Sequence, residues 1–534
     1  LLALIAIVLG IQFSGIGFGL PHQFHPDEYC VVIESFNTLK LLDGQPFRAS
    51  SYVLGIRWIY CFSYVLLFLA GYLLRIFGSY AEFYNLFYEY GNPWVNAASP
   101  WFYIPPRVVS FGFYVGAMAV LYATVRRLLI PEHSGIDNET LSNSRDQQRN
   151  RRFWENAALI ITFSALLLPA GYLYSHYGTR ESALSFFCLL IPYHAFFRFN
   201  PASLRSVLVG AALVGAAAGV KENGAIFIIL YLWSLGTAFT QKRISIRRLV
   251  IFGLTCGVVS IAVFYLLNIH MLLGRSIALP LNKVLSFQEP GGKVFRPGRS
   301  YLSNWYVYPK AFLHQFSFPV LAALLAGTAL NWLRFKKLRP LILVIVGTWL
   351  VLTFARGSGL KSDRYIMNIF LPLYLVGTVG ISKLLYSIKR PRLLWLLPLL
   401  LIIFNGRELG SIFVNFHGRD TREIAGQWIE KNLPGDRPIA REIIKTPCLD
   451  TTRFTVALQK WYLGAQPLDS LRARGIEYLV FSERYTSGWV HGERVAGNYR
   501  TFMPYVIKTF ETKWQPRLND FHSPKIYVAK TSGR

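Results

Sequence analysis

The residues best suited to chemistry are two adjacent carboxylates, Asp27 and Glu28, in the stretch His25-Pro26-Asp27-Glu28 that follows the first apolar run of the chain. Beside a membrane, neighbouring carboxylates are costly to desolvate, so they are either solvated in a plain loop or held for a task. Adjacent positions point in different directions on regular structure, which suits one carboxylate to a reaction centre and the other to bracing it. His22 and His25 have no third convergent ligand, so no metal site is read there. A second polar group, His176-Tyr177-Gly178-Thr179-Arg180-Glu181, forms a turn between two apolar runs. Lys221 closes a run of small residues and opens the tight turn Lys221-Glu222-Asn223-Gly224; it either snorkels to the surface or pairs with a phosphate. Between Arg356 and Tyr365 the chain adds Lys361 and Arg364. Cations from separate turns converging on one face suit an anionic lipid headgroup.

Membrane helices are the elements that must position these groups. The 534 residues are 53% hydrophobic yet carry 56 basic and 28 acidic side chains, a net charge of +28. Apolar runs fall near 1–20, 51–74, 105–125, 154–174, 182–197, 203–220, 223–240, 248–272, 315–333, 339–355, 364–382 and 393–406. A bilayer core about 30 Å thick needs roughly 20 apolar residues per helix, which rules out a water-soluble multidomain chain and predicts a polytopic α-helical membrane protein. Lys and Arg beside spanning helices are retained at the cytoplasmic face, so the basic balance calls for no nucleic-acid partner.

Basic clusters occupy every second connector: Arg126 to Arg152, Arg198 and Arg205, Lys242 to Arg248, Arg334 to Arg339, and Lys389 to Arg392. Their alternation predicts that these connectors are cytoplasmic and the others external. Parity then places 51–74 at the interface, where Arg57 and its aromatic neighbours Trp58, Tyr60, Phe62, Tyr64 and Tyr72 suit the headgroup zone. The reading is eleven spanning helices plus juxtamembrane helices, N-terminus inside and C-terminus outside. Leu1 lies within an apolar run, which is read as a chain missing its true start. Five scattered cysteines imply neither a disulfide framework nor a zinc knot.

Residues 407–534 hold 20 basic groups and 13 of the 28 acids, with no spanning run. The spacing of Ile424, Ala425, Trp428 and Ile429 predicts a helix over 420–432, and 437–441, 476–482 and 525–529 read as strands. The expected organisation is a membrane domain over 1–406, with external loops at 21–105 and 272–314, followed by a small extracytoplasmic α/β domain over 407–534.

One external connector breaks the charge rule: 272–310 holds Arg275, Lys283, Lys293, Arg296, Arg299 and Lys310 against Glu289 alone. An accidental excess in a long loop is one reading, and an electropositive mouth for an anionic lipid or polymer is the other. Tyr301, Trp305, Tyr306 and Tyr308 form an interface belt that also offers a sugar-stacking surface. The Gly/Pro-containing basic stretch 289–300 reads as a flap over an acceptor.

In this order the motifs resemble the GT-C glycosyltransferases, in particular the bacterial group that includes protein O-mannosyltransferases and the aminoarabinose transferase of lipid A. The resemblance rests on the first helix followed by His25–Glu28, Arg126-Arg127 ending a helix, the turn Ser175–Glu181, the small-residue helix closing in Lys221, the aromatic stretch before 315, Arg364-Tyr365, and 474–485 in the tail. It implies a GT-C fold and a transferase that takes a sugar from a polyprenyl-phosphate donor on the outer side of a bacterial inner or plasma membrane. The acceptor is a lipid, glycan or protein hydroxyl.

In such enzymes the first external loop carries a catalytic acid, and Asp27 matches it, with Glu28 following. The loop's usual Tyr/Lys-Pro-Pro element is absent, since this chain reads Ala49-Ser50-Ser51-Tyr52, and Glu181 stands where many relatives have aspartate. A lipid phosphodiester is already a good leaving group, so the site needs a base at the acceptor and positive charge at the phosphate more than it needs an acid. The expected roles are Asp27 as base for inverting attack and Lys221, Arg364 and Lys361 on the donor phosphate. Glu28, Glu181, His176 and Arg57 would orient the site, and Arg296, Arg299, Tyr301, Trp305 and Tyr306 would meet the acceptor. No cofactor is indicated and no metal ligand set is assigned, though Glu28 and Glu181 leave a divalent ion open. Rival classes are a lipid-linked glycan transporter or flippase, a polysaccharide ligase or polymerase, and a non-catalytic receptor or scaffold.

Overall fold

The computed structural model describes residues 1–18, 20, 26–39, 55–90, 100–130, 145–269, 302–354, 366–442, 446, 447, 449, 453–460, 463–483, 493–512 and 524–531. The membrane part is built from α1 (Leu2–Ser14), α2 (Pro26–Asn37), α3 (Arg57–Leu73), α4 (Tyr80–Tyr90), α5 (Pro100–Leu129), α6 (Arg145–Leu166), α7 (Pro169–Ser175) and α8 (Glu181–Phe197). It continues with α9 (Leu204–Val220), α10 (Ile228–Thr240), α11 (Ile246–Leu267), α12 (Leu302–Arg334), α13 (Arg339–Phe354), α14 (Met367–Ser387) and α15 (Leu396–His417).

Six of the described helices are long and apolar enough to cross a membrane. A seventh crossing arises if α6 and α7, bent by 64° at their junction, count as one. Pro169 sets that bend, because its ring supplies no N–H to continue the ladder and it sits in the first turn of the new helix. Five shorter apolar helices accompany them: Leu2–Gly17, Arg57–Leu73, Glu181–Phe197, Leu204–Val220 and Arg339–Thr353. The outward surface is apolar, as Leu254, Val258 and Ile261 on one stripe of α11 show. In water such a stripe would be expensive; against lipid it is the expected solvent contact. By contrast α14 is buried along most of its length and forms the centre of the bundle.

Small residues let the central helices touch. A Cβ on Gly380 would lie 2.0 Å from the Gly327 carbonyl oxygen, and one on Gly327 would lie 2.1 Å from that of Gly377, so α12 and α14 cross backbone to backbone.

The tail begins with α16 (Thr421–Asn432), capped by the Asp420 side chain, which accepts from the Arg422 N–H at 2.8 Å and from its guanidinium at 2.7 and 2.8 Å. Then follow β1 (Ile439–Glu442), β2 (Val456–Lys460), α17 (Leu468–Ala473), β3 (Tyr478–Ser482), α18 (Glu493–Phe502), β4 (Val506–Phe510) and β5 (Ile526–Lys530). The strands form one sheet in the order β2-β1-β3-β5-β4, parallel across β2, β1 and β3 and antiparallel across β3, β5 and β4. Leu479, Phe481, Tyr527 and Ala529 face α17 and α18, while Tyr478, Val480, Ile526 and Val528 face α16. Both faces of the central strands are covered, which is why β3 is continuously apolar instead of alternating.

The helix, and the three strands read from sequence, therefore form within two residues of their expected bounds. Helix α15 runs on beyond the apolar run read at 393–406 to His417, because Leu409, Ile412, Phe413 and Phe416 prolong its apolar stripe.

Within the sheet domain, the Glu442 carboxylate is fully buried and accepts from the Ser482 N–H and Oγ, both at 2.9 Å, and from the Tyr499 hydroxyl. Burial pushes this carboxyl up to about 8, against the opposing pull of Tyr499 and Ser482.

Candidate active site

Glu28 lies in the first turn of α2 and is fully buried. Its carboxylate takes a bidentate pair from Arg107 on α5, Nε to Oε1 at 2.7 Å and Nη2 to Oε2 at 2.8 Å. The remaining guanidinium donor, Nη1, bonds the carbonyls of Ile16 at 2.8 Å and Phe18 at 2.7 Å, where the chain leaves α1. Planar, bidentate pairing of this kind fixes direction as well as charge. One buried arginine thus ties together the end of α1, the start of α2 and the start of α5. The plain solvated-loop reading of Glu28 does not hold, because the carboxylate is enclosed by protein.

The turn 176–181 closes the other side. The Gly178 N–H donates to Glu28 Oε1 at 2.8 Å. Glycine is required here: a Cβ would lie 2.8 Å from Pro106 Cβ and 3.3 Å from Glu28 Oε1. The next carbonyl, of Thr179, accepts from the Tyr60 hydroxyl at 2.8 Å. Glu181, in the first turn of α8, pairs with Lys221 Nζ at 3.2 Å, both side chains being nearly inaccessible. Tyr60 lies within electrostatic range of both Glu28 and Glu181. Lys221 therefore does not snorkel outward; it leaves α9 in an extended backbone conformation and turns inward onto the carboxylate.

His176 is buried and stacks on Phe416 of α15 at 4.1 Å between ring centroids. Its Nδ1 is 2.7 Å from the Tyr172 carbonyl oxygen, and its Nε2 meets the carbonyl of Gln12. It joins α1, α7 and α15 behind the turn. Tyr177, buried beside it, lies within electrostatic range of Glu28 and Arg107 on one side and of Asp420 and Arg422 on the other.

Arg57 is buried at the start of α3, with its guanidinium 5.2 Å from the Trp58 ring and coupled to Glu34 of α2. It does not face the headgroup zone as its neighbours suggested; it faces the protein, one helical step from the Glu28 cluster.

Of the other expected site residues, Lys361, Arg364, Arg296, Arg299 and Tyr301, the flap 289–300 and the side chains of Asp27, Trp305 and Tyr306 lie outside the described residues. Asp27 has its backbone in the first turn of α2, beside the pinned Glu28. Among the described residues no group of three His, Cys, Asp or Glu side chains could hold a metal ion.

Two participants escaped the reading by motif. Arg107 is a lone cation just after Pro105-Pro106 inside an apolar helix, and an ionisable residue at such a position is a functional candidate by default. Tyr60 gave no comparable signal, since it reads as one aromatic residue among many. The arrangement as a whole holds two carboxylates, two cations and two phenols around one glycine turn. It can fix the start of α2 in direction, and with it the carboxylate next to Glu28.

No protein-family model matches the chain, and no curated protein matches it. Among solved structures it is similar to ArnT from Cupriavidus metallidurans in the apo state, at a TM-score of 0.46 and 13% identity, over 99% of this chain and 97% of that one. It is similar also to ArnT from Cupriavidus metallidurans bound to undecaprenyl phosphate, at a TM-score of 0.48 and 12% identity, over 99% of this chain and 98% of that one.

Proposed function

We propose that this chain is a polytopic membrane glycosyltransferase of GT-C type that moves a sugar from a polyprenyl-phosphate donor to an acceptor hydroxyl. The observation that carries the reading is the Glu28–Arg107–Gly178 constellation, which fixes the first turn of α2 and so holds Asp27 at the start of a helix. In this reading Asp27 is the base. It removes the acceptor proton as the oxygen attacks the anomeric carbon with inversion, and the bond to the lipid phosphate breaks with both electrons going to the phosphate oxygen. Positive charge from Lys221, Lys361 and Arg364 supports that departing anion. Glu28 and Glu181 orient the site, and Arg296, Arg299 and the aromatic side chains near 301–306 meet the acceptor.

The topology that fits takes the six long helices, the bent α6–α7 pair and four of the five shorter apolar helices as spans, and lays α3 at the interface. That count gives eleven, with the site and the tail domain outside the cytoplasm.

The deciding measurement is release of polyprenyl phosphate and sugar transfer by the purified full chain from a synthetic polyprenyl-phosphate sugar. Wild type should turn over and Asp27→Asn should lose at least about a hundredfold, the usual scale of general-base catalysis. Undiminished turnover in Asp27→Asn refutes the base assignment. Movement of intact donor across a bilayer without cleavage refutes the transferase in favour of a flippase.

A further inference from the structure

Two helix breaks lie side by side in the bundle, and one residue serves both. Were α6 to continue unbroken, the Ala170 N–H would bond the Leu166 carbonyl four residues earlier. The bend at Pro169 parts them, which frees a donor and an acceptor where a bilayer offers no water. The Ala170 N–H donates instead to Gln315 Oε1 at 2.9 Å, and the Leu166 carbonyl accepts from Gln12 Nε2 at 3.1 Å. Helix α12 breaks in turn at Ser317, which leaves helical geometry (φ 57°, ψ 164°) two residues ahead of Pro319. Pro319 has no N–H to give the Gln315 carbonyl, and Asn405 Nδ2 of α15 donates to that carbonyl at 2.6 Å. Gln315 thus fills the first break with its side chain, while its own carbonyl is the freed group of the second. Gln12, Gln315 and Asn405 are all buried.

Helix α7 and the turn after it hang on the first break. The seven residues of α7 are held at their start by Gln315 and the Gln12 side chain. Just past their end, His176 Nε2 meets the Gln12 carbonyl. Two residues further, the Gly178 N–H donates to Glu28 Oε1 at 2.8 Å. A helix of two turns has little stability of its own, so its direction is set by the bonds at its ends.

We propose that Gln315 is a positioning residue for sugar transfer: it joins the break in α12 to the break between α6 and α7, sets the direction of α7, and so fixes the turn 176–181 against Glu28 and the start of α2. The effect on turnover rests on the transferase reading; the effect on the turn does not.

The test compares the purified full chain with Gln315→Met, which keeps the side-chain length but offers no oxygen to Ala170. One interhelical hydrogen bond contributes little to the stability of a membrane bundle, so the fold is retained. Hydrogen–deuterium exchange should quicken about threefold or more over 169–181 and stay unchanged over α9. Turnover (kcat) with the synthetic polyprenyl-phosphate sugar should fall about tenfold or more, since small misplacements near a reacting group are costly. Gln315→Glu, neutral while buried and still presenting a carbonyl oxygen, should restore both. Asn405→Leu should also slow turnover, and should add nothing once Gln315→Met is present, because it acts through Gln315. Unchanged exchange over 169–181 in Gln315→Met, or wild-type kcat in that variant, overturns the proposal. Equal losses in Gln315→Met and Gln315→Glu overturn it in favour of a packing defect at the kink. Losses that multiply in Gln315→Met/Asn405→Leu overturn it in favour of two independent supports. A wild type without transfer refutes the transferase reading alone, and the exchange measurements then decide whether Gln315 holds the turn.

Discussion

Arg107→Met is the most informative single perturbation of the candidate site. It leaves the buried Glu28 carboxylate without its bidentate partner and removes the donor shared by the Ile16 and Phe18 carbonyls. Stranding one member of a buried ion pair costs about 3–5 kcal/mol, and each lost carbonyl bond adds about 1 kcal/mol. The expected destabilisation is therefore about 5–7 kcal/mol on those scales. The companion variant Arg107→Met/Glu28→Leu discards both charges, and replacing a buried pair by apolar side chains is often neutral. The carbonyl losses and the Gly178 N–H left without its acceptor should then remain, about 3 kcal/mol. Equilibrium unfolding in mixed detergent–SDS micelles reads both. The double variant should be more stable than the single one by about 2 kcal/mol or more. A double variant as unstable as Arg107→Met would refute it, since the cost would then lie in packing around the side chains and not in an uncompensated charge.

The Lys221–Glu181 pair behaves by the same logic, so Lys221→Met should lose about 3 kcal/mol and Lys221→Met/Glu181→Leu should regain most of it. If Lys221 also meets the donor phosphate, both variants show a raised KM for the donor lipid, and an unchanged donor KM removes that role. The tail domain should be pH-sensitive through Glu442, whose folded-state pKa of about 8 lies above the ordinary value of 4.5. Below pH 4.5 both the folded and the unfolded carboxyl are protonated and the group contributes no slope. Between 4.5 and about 8 the unfolded state ionises while the folded one keeps its proton, so stability falls as pH rises, and it levels off above about 8. Denaturation of the full chain followed by tail-domain tryptophan and tyrosine signals should show this slope in wild type and lose it in Glu442→Gln. A wild-type profile that is flat over that interval contradicts the burial argument.

Much of the fold could be read from period and charge. The apolar runs, the α16 helix and the buried strands β1, β3 and β5 announce themselves because each is covered on the faces that its sequence makes apolar. Strands β2 and β4 did not, and they are the two edges of the sheet. Their solvent-facing positions, such as Lys460 and Lys508, interrupt any apolar run, so composition disguises them as loop. The site was legible as pieces: Glu28, His176, Glu181 and Lys221 each stood out as polar groups in apolar surroundings. Their pairing was not legible, because Glu28 and Arg107 are brought together only by the packing of α2 against α5. Arg57 shows the same limit from the other side. Its sequence neighbours are interfacial aromatics, but the packing of α3 buries its side chain within electrostatic range of Glu34 on another helix.

The continuity of α15 changes how the two halves of the chain can be separated. Phe416, one residue before the helix ends, stacks on His176, and Tyr177 beside it senses the cap of α16. A cut at 407 would take away more than the tail: it would strip the last turns of a helix that forms the back wall of the candidate site. Gly418 is the first position at which the chain leaves that helix, so it is the natural hinge point for dissection. A tail domain cut away at Gly418 would leave the His176–Phe416 stack with the membrane part, whereas one cut away at 407 would take it.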